Sequence, residues 1–176
     1  MCSSDLAEGQ PLDRSLALAG VVIGRVLNGQ SLNRAMSELK ATGKMRSAVQ
    51  ALTYSTLRDF GLCDAVLARL VPRPPAASLR GLLLASITEL ENARQGAHAV
   101  VHQAVEAAAQ VAPRNPSAAK GLVNAVLRNY LRQSAALQDA VLGTETGRYR
   151  HPQWWLQRLQ ADWPAAWEAV VAADNA

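Results

Sequence analysis

From residue 13 to residue 134 the apolar side chains recur at three- and four-residue spacing, and no stretch alternates long enough to make a β-strand. A chain patterned this way has to bury helix faces against one another, so the fold class is all-α. The spacing predicts a first helix from Arg14, with Asp13 as its cap and Leu18, Val21, Val22 and Val26 turned inward until Asn28-Gly29 stops it. Ser31 caps a second helix through Leu32, Ala35, Met36 and Leu39, ended by Thr42-Gly43. A third runs over 45–60 with Val49, Leu52, Thr53 and Leu57 inward, and Gly61 breaks or bends it before a fourth that carries Leu62, Val66, Leu67 and Leu70 up to Pro72. Helices over 77–92 and 98–111 follow, separated by a Gln95-Gly96 turn. After a loop at 113–117 with Ser117 as cap, another covers 118–134. Beyond it the pattern weakens: a loop at 143–147 leads into two short amphipathic helices near 153–160 and 165–173, where all four tryptophans sit as packing anchors. This divides the chain into a leader at 1–12, a helical domain at 13–134 and a helical linker at 135–176. The leader reads as disordered, and the abrupt C-terminal end reads as a cut from a longer protein.

Alanine and leucine dominate, phenylalanine occurs once, and hydrophobic residues make up 49% of the chain, enough for an ordinary core of good helix formers. The two cysteines, Cys2 and Cys63, give neither a disulfide framework nor metal-ligand spacing, and Cys63 lies in an apolar helical run as a small buried hydrophobe. His98, His102 and His151 form no metal constellation; His98 and His102 are read as capping or packing residues. A polar N-terminus, no apolar run of membrane length and no oxidised framework point to a cytoplasmic protein without a membrane partner. No Gly-rich nucleotide loop follows a strand, and no nucleophile, base and acid stand in a catalytic pattern, so no catalytic residue, metal or cofactor is assigned to this chain.

Charge is where the sequence becomes specific. The net charge of +4 is modest, but it is unevenly spread. Residues 45–80 hold five Arg against two Asp, residues 113–132 hold four basic residues and no acid, and from 134 onward five acids face three bases. Within 118–134, Lys120, Asn124, Arg128 and Arg132 are four apart and drift about 40° per step, which puts them on one slanted stripe opposite Leu122, Val123, Val126, Leu127 and Tyr130. Such a helix can bury one face and offer donors to phosphate oxygens with the other, with Asn124 reading a base edge or bracing the backbone. On spacing alone, a solvated polar face is the competing reading. Arg14, opening the first helix, and Arg46 and Arg58, flanking the third, complete the set of candidate RNA contacts, while Tyr54 and Tyr130 are expected in the core.

The run Gly121-Leu122-Val123-Asn124-Ala125-Val126-Leu127-Arg128-Asn129 resembles the signature of the NusB-like domain in the Sun/RsmB family of bacterial ribosomal-RNA cytosine-C5 methyltransferases. His98 to Glu106, Tyr54-Ser55-Thr56-Leu57-Arg58 and His151-Pro152-Gln153-Trp154-Trp155 resemble further stretches of that family in the same order. The chain departs from the family pattern at Met45, Ser55, His102 and Glu89. The resemblance implies two small helical subdomains that bind ribosomal RNA. By analogy with NusB itself, the helix carrying Lys120 to Arg132 and the Arg14 end of the first helix would line the RNA surface. It also implies that S-adenosylmethionine and the catalytic cysteines belong to a separate C-terminal methyltransferase domain of the parent protein, the partner of this one. The alternative is a free-standing antitermination or adaptor module that pairs with a ribosomal protein; the His151-Pro152 stretch favours the first reading.

Overall fold

The computed structural model describes residues 11–92 and 96–175. Among them the chain forms ten helices: α1 (Leu12–Leu27), α2 (Leu32–Ser37), α3 (Gly43–Arg58), α4 (Phe60–Leu70), α5 (Ala77–Glu91), α6 (Ala97–Val111), α7 (Pro116–Leu142), α8 (Glu145–Tyr149), α9 (Gln153–Asp162) and α10 (Trp167–Asp174). No strand occurs among the described residues. The leader as far as Gln10, and Gln95 of the expected turn, lie outside them.

α5 is the centre. Every residue from Gly81 to Glu89 is buried, so this helix has no solvent face and must be surrounded. α1 crosses it closely. A Cβ on Gly20 would stand 2.9 Å from the Leu82 nitrogen, and one on Gly24 2.7 Å from that of Ser78, so glycine is what lets the two backbones meet. α1 also packs on α3 and α6, while α7 packs on α6, α4 and α8. These two groups of helices share one continuous buried cluster, from Leu16 and Ile23 of α1 through Leu82, Leu83 and Ile87 of α5 to Val123, Leu127 and Val141 of α7. Among the described residues no helix is long and apolar enough to cross a membrane.

Several boundaries differ from expectation for identifiable reasons. α1 starts at Leu12 behind Pro11, whose ring presets a helix-entry φ of −56°, so Asp13 sits in the first turn rather than capping it. Its backbone N–H instead donates to Gln103 Oε1, and its carboxylate accepts from Gln110 Nε2, tying α1 to α6. The break between α3 and α4 falls at Asp59, not Gly61. α7 is capped by Asn115, whose side chain accepts from the Ala118 N–H, with Pro116 in its first turn; Ser117 lies inside the helix. α7 does not stop at 134: it bends at Gln133 (φ −133°, ψ 22°) and continues to Leu142. The expected loop at 143–147 is largely α8, capped by Thr144, with Gly147 buried against the Val141 backbone. Ser31 caps α2 as expected, accepting from the Arg34 N–H.

Of the tryptophans, Trp155 stacks on His151 and Trp167 meets Tyr149 edge-on, whereas Trp154 and Trp163 are 69% and 60% exposed rather than buried as anchors. Tyr130 is buried as expected; Tyr54, expected in the core, is 50% exposed because it stands on the outer face of α3.

Candidate nucleic-acid interface

α6 and α7 run antiparallel. Lys120, near the start of α7, meets Glu106 in the second half of α6, while Arg128 and Arg132 share a shallow groove with His98 and Val101 at the start of α6. The apolar side of α7 is fully committed: Val123 and Leu127 are at 0% exposure, and Ala119, Val126 and Tyr130 are buried beside them. That leaves the opposite stripe to the solvent and to α6.

The four stripe residues do not share one fate. Lys120 Nζ lies 2.9 and 3.0 Å from the two carboxylate oxygens of Glu106, so its charge is locally balanced. The acid-free window read along the chain is real, but the neighbouring helix supplies the missing acid. Asn124 is half-buried, and its Oδ1 accepts from Arg128 Nε at 2.8 Å. Arg132 donates through Nη2 to Asn129 Oδ1 at 3.2 Å, a bond within α7 that spacing alone did not single out. Arg128 and Arg132 are exposed, and neither makes an ion pair among the described residues.

A guanidinium held by a neutral amide is ordered without being neutralised. Both arginines are therefore set toward the groove with full charge, above a floor of buried Val101 and half-buried Leu131. Their α-carbons are about one turn apart, about 6 Å along the helix axis. His98 and His102 are both exposed on α6, and no side chain caps that helix, so neither packs nor caps as expected.

The other candidates lie elsewhere. Arg14 is exposed on the first turn of α1, and Arg46 is half-buried on the first turn of α3. Arg58 is exposed at the end of α3 and lines a second cleft with Tyr54, Ser55, Leu57, His151 and Asp174. Twelve residues separate Arg46 from Arg58, about 18 Å of helix, so the two cannot serve one phosphate. Cys63 is buried, and burial pushes its thiol up from an ordinary 9.0 to about 12, partly opposed by a contact to the Thr88 hydroxyl. It is an inert packing residue rather than a nucleophile. Among the described residues no three His, Cys, Asp or Glu side chains gather as metal ligands would.

Comparison with known proteins bears on this arrangement. The model of the NusB family matches residues 14–132. Proteins named ribosomal RNA small subunit methyltransferase B are similar over nearly the whole chain. That of Serratia proteamaculans is 36% identical over 165 residues, 90% of this chain and 38% of the relative. The Vibrio vulnificus protein is 34% identical over 165 residues, with the same coverage. The Citrobacter koseri protein is 36% identical over 167 residues, 92% of this chain and 38% of the relative. The chain thus spans about 38% of the length of the curated relatives it matches.

Proposed function

The chain belongs to the NusB family, and from that premise we propose that it is the RNA-binding domain of a ribosomal-RNA cytosine-C5 methyltransferase, with Arg128 and Arg132 as its principal phosphate contacts. The observation that carries this reading is the pair of exposed guanidiniums on α7, each braced by an amide and without a carboxylate partner among the described residues. Arg14 on α1 and Arg46 on α3 are further candidate contacts outside that groove; Lys120 contributes only after exchanging Glu106 for a phosphate.

The relatives' name supplies the substrate: ribosomal RNA is the polyanion such a surface would hold. Their greater length supports a division of labour in which methyl transfer happens outside this chain. S-adenosylmethionine would supply the methyl group there. The residues described here do not suit that cofactor: no strand end among them carries a binding turn, and the Cys63 thiol is sealed in the core. The role of this chain in that reaction is to bind and orient the RNA.

Fluorescence anisotropy with a small-subunit ribosomal-RNA hairpin at several salt concentrations tests the reading. Each phosphate contact on a single strand contributes about −0.7 to the slope of log affinity against log salt. Changing Arg128 and Arg132 together to Gln should therefore flatten the slope by about 1.4 and weaken all sequences alike. A folded double variant with wild-type affinity and slope would sink the RNA assignment for this face and move an adaptor that binds a ribosomal protein ahead of it.

A further inference from the structure

The cleft at the end of α3 is unlike the α6–α7 groove. It is lined by Tyr54, Ser55, Leu57 and Arg58 of α3, by His151 just before α9, and by Asp174, the last residue of α10. Tyr54 and Arg58 are four apart on α3, so they occupy one face, and both are exposed. Tyr54 shows half its surface to solvent and makes no ring contact or hydrogen bond among the described residues. Arg58 makes no ion pair among them either; Arg150, the neighbouring base, is already held by Asp59. Opposite, His151 Nε2 is buried 3.3 Å from Asp174 Oδ2 without the alignment of a hydrogen bond.

Those groups select a ligand class. One arginine facing one carboxylate is no sink for a bare anion. It suits a ligand that carries an anionic group at one end and hydrogen-bond donors at the other, and the unpartnered tyrosine ring on the Arg58 wall suits a flat one. A nucleotide has all three parts: a phosphate for Arg58, a base face for Tyr54, and an exocyclic amino group for Asp174.

The cleft is also linked to the proposed RNA face through the end of α5. Ser55 Oγ accepts from Asn92 Nδ2 at 3.3 Å, at the end of α5, and His98 of the α6–α7 groove stands in the first turn of the helix after Gly96. Residues 92 and 96 are joined by at most about 14 Å of chain. We infer that the cleft between the C-terminal turn of α3 and the α8–α10 segment seats one unpaired nucleotide of the bound RNA, its base on Tyr54 and its phosphate on Arg58. The inference rests on the RNA-binding reading above, but on different residues, so the two can fail separately.

The test uses the whole 176-residue chain and a fluorescein-labelled RNA hairpin with an unpaired loop, beside a fully paired duplex. Tyr54→Ala should weaken hairpin binding about fivefold or more, the low end for loss of one stacked base, with the salt slope unchanged. Tyr54→Phe keeps the ring and should bind like wild type. Arg58→Gln should flatten the slope by about 0.7. Duplex binding should be insensitive to Tyr54→Ala. Hairpin affinity of the folded Ala variant within twofold of wild type, or an equal loss for duplex and hairpin, overturns the cleft assignment. If the Arg128 and Arg132 changes weaken binding while the Tyr54 and Arg58 changes do not, only this inference falls. If the wild-type chain binds no RNA, both readings fall.

Discussion

Gly61→Ala should release the C-terminal segment from the bundle while leaving the bundle folded. Gly61 lies in the first turn of α4, where its N–H donates to the Arg150 carbonyl at 2.9 Å. A Cβ there would stand 2.5 Å from the His151 nitrogen and 2.6 Å from the Arg150 carbonyl carbon, both backbone atoms that cannot swing aside. Overpacking of that kind costs about 1–3 kcal/mol, and the lost hydrogen bond roughly 0.5–1.5. Two gains offset this. Alanine is preferred over glycine in a helix by up to about 1 kcal/mol. Arg150 is held at φ 62°, a left-handed conformation that costs a non-glycine residue about 1–2 kcal/mol, and it relaxes when the contact opens. The net is about 1 kcal/mol, borne by the docking of α8 and α9 rather than by the core. Hydrogen exchange read by mass spectrometry checks it: amides over 145–156 should exchange several-fold faster, while those of α5, at the centre of the core, keep their rate. Unchanged protection at 145–156, or an equal loss in α5, would refute the argument that this glycine is a local clip.

Leu127 is at 0% exposure in the middle of α7, so Leu127→Ala should destabilise the fold by roughly 2–5 kcal/mol and lower the thermal midpoint by several degrees in a calorimetric scan. The Cys63 thiol, raised in the folded state to about 12 from 9.0, favours folding fully below pH 9 and loses that contribution as pH rises toward 12. Urea midpoints should therefore fall between pH 9 and 11, and less steeply in Cys63→Ala. Asn124→Asp preserves the shape of the brace on Arg128 but neutralises the charge it holds, so it should weaken RNA binding in anisotropy more than Asn124→Ala does, whereas Lys120→Met should weaken it less than Arg128→Gln.

The helices were legible because burying one face imposes a period, and α7 shows how far that goes. The spacing of Val123, Val126, Leu127 and Tyr130 told which side is inside, and all four are buried. What was not legible depends on partners distant in sequence. Gly20 and Gly24 add no side chain to the apolar pattern, yet they let α1 lie against α5. Tyr54 carries an aromatic ring that composition assigns to a core, but its face of α3 opens on a cleft and the ring stays 50% exposed. Ser117 is as good a cap by type as Asn115, and what decided between them was Pro116, which fits the first helical position and leaves the cap to the residue before it.

The same distinction governs the candidate site. Charge read along one helix counts only that helix, and on that count Lys120, Arg128 and Arg132 are equivalent. Packed against α6 they are not: one meets a carboxylate, and the other two meet amides from their own helix. The difference matters for binding, because ordering a long cationic side chain costs entropy that the ligand must otherwise offset, and an amide brace removes part of that cost in advance without cancelling the field. Lys120 must break an ion pair before it meets a phosphate; Arg128 and Arg132 need only exchange water. A basic face is therefore identified by which cations are held by neutral groups, a property of neighbouring side chains in the fold that the number of lysines and arginines in a window does not contain.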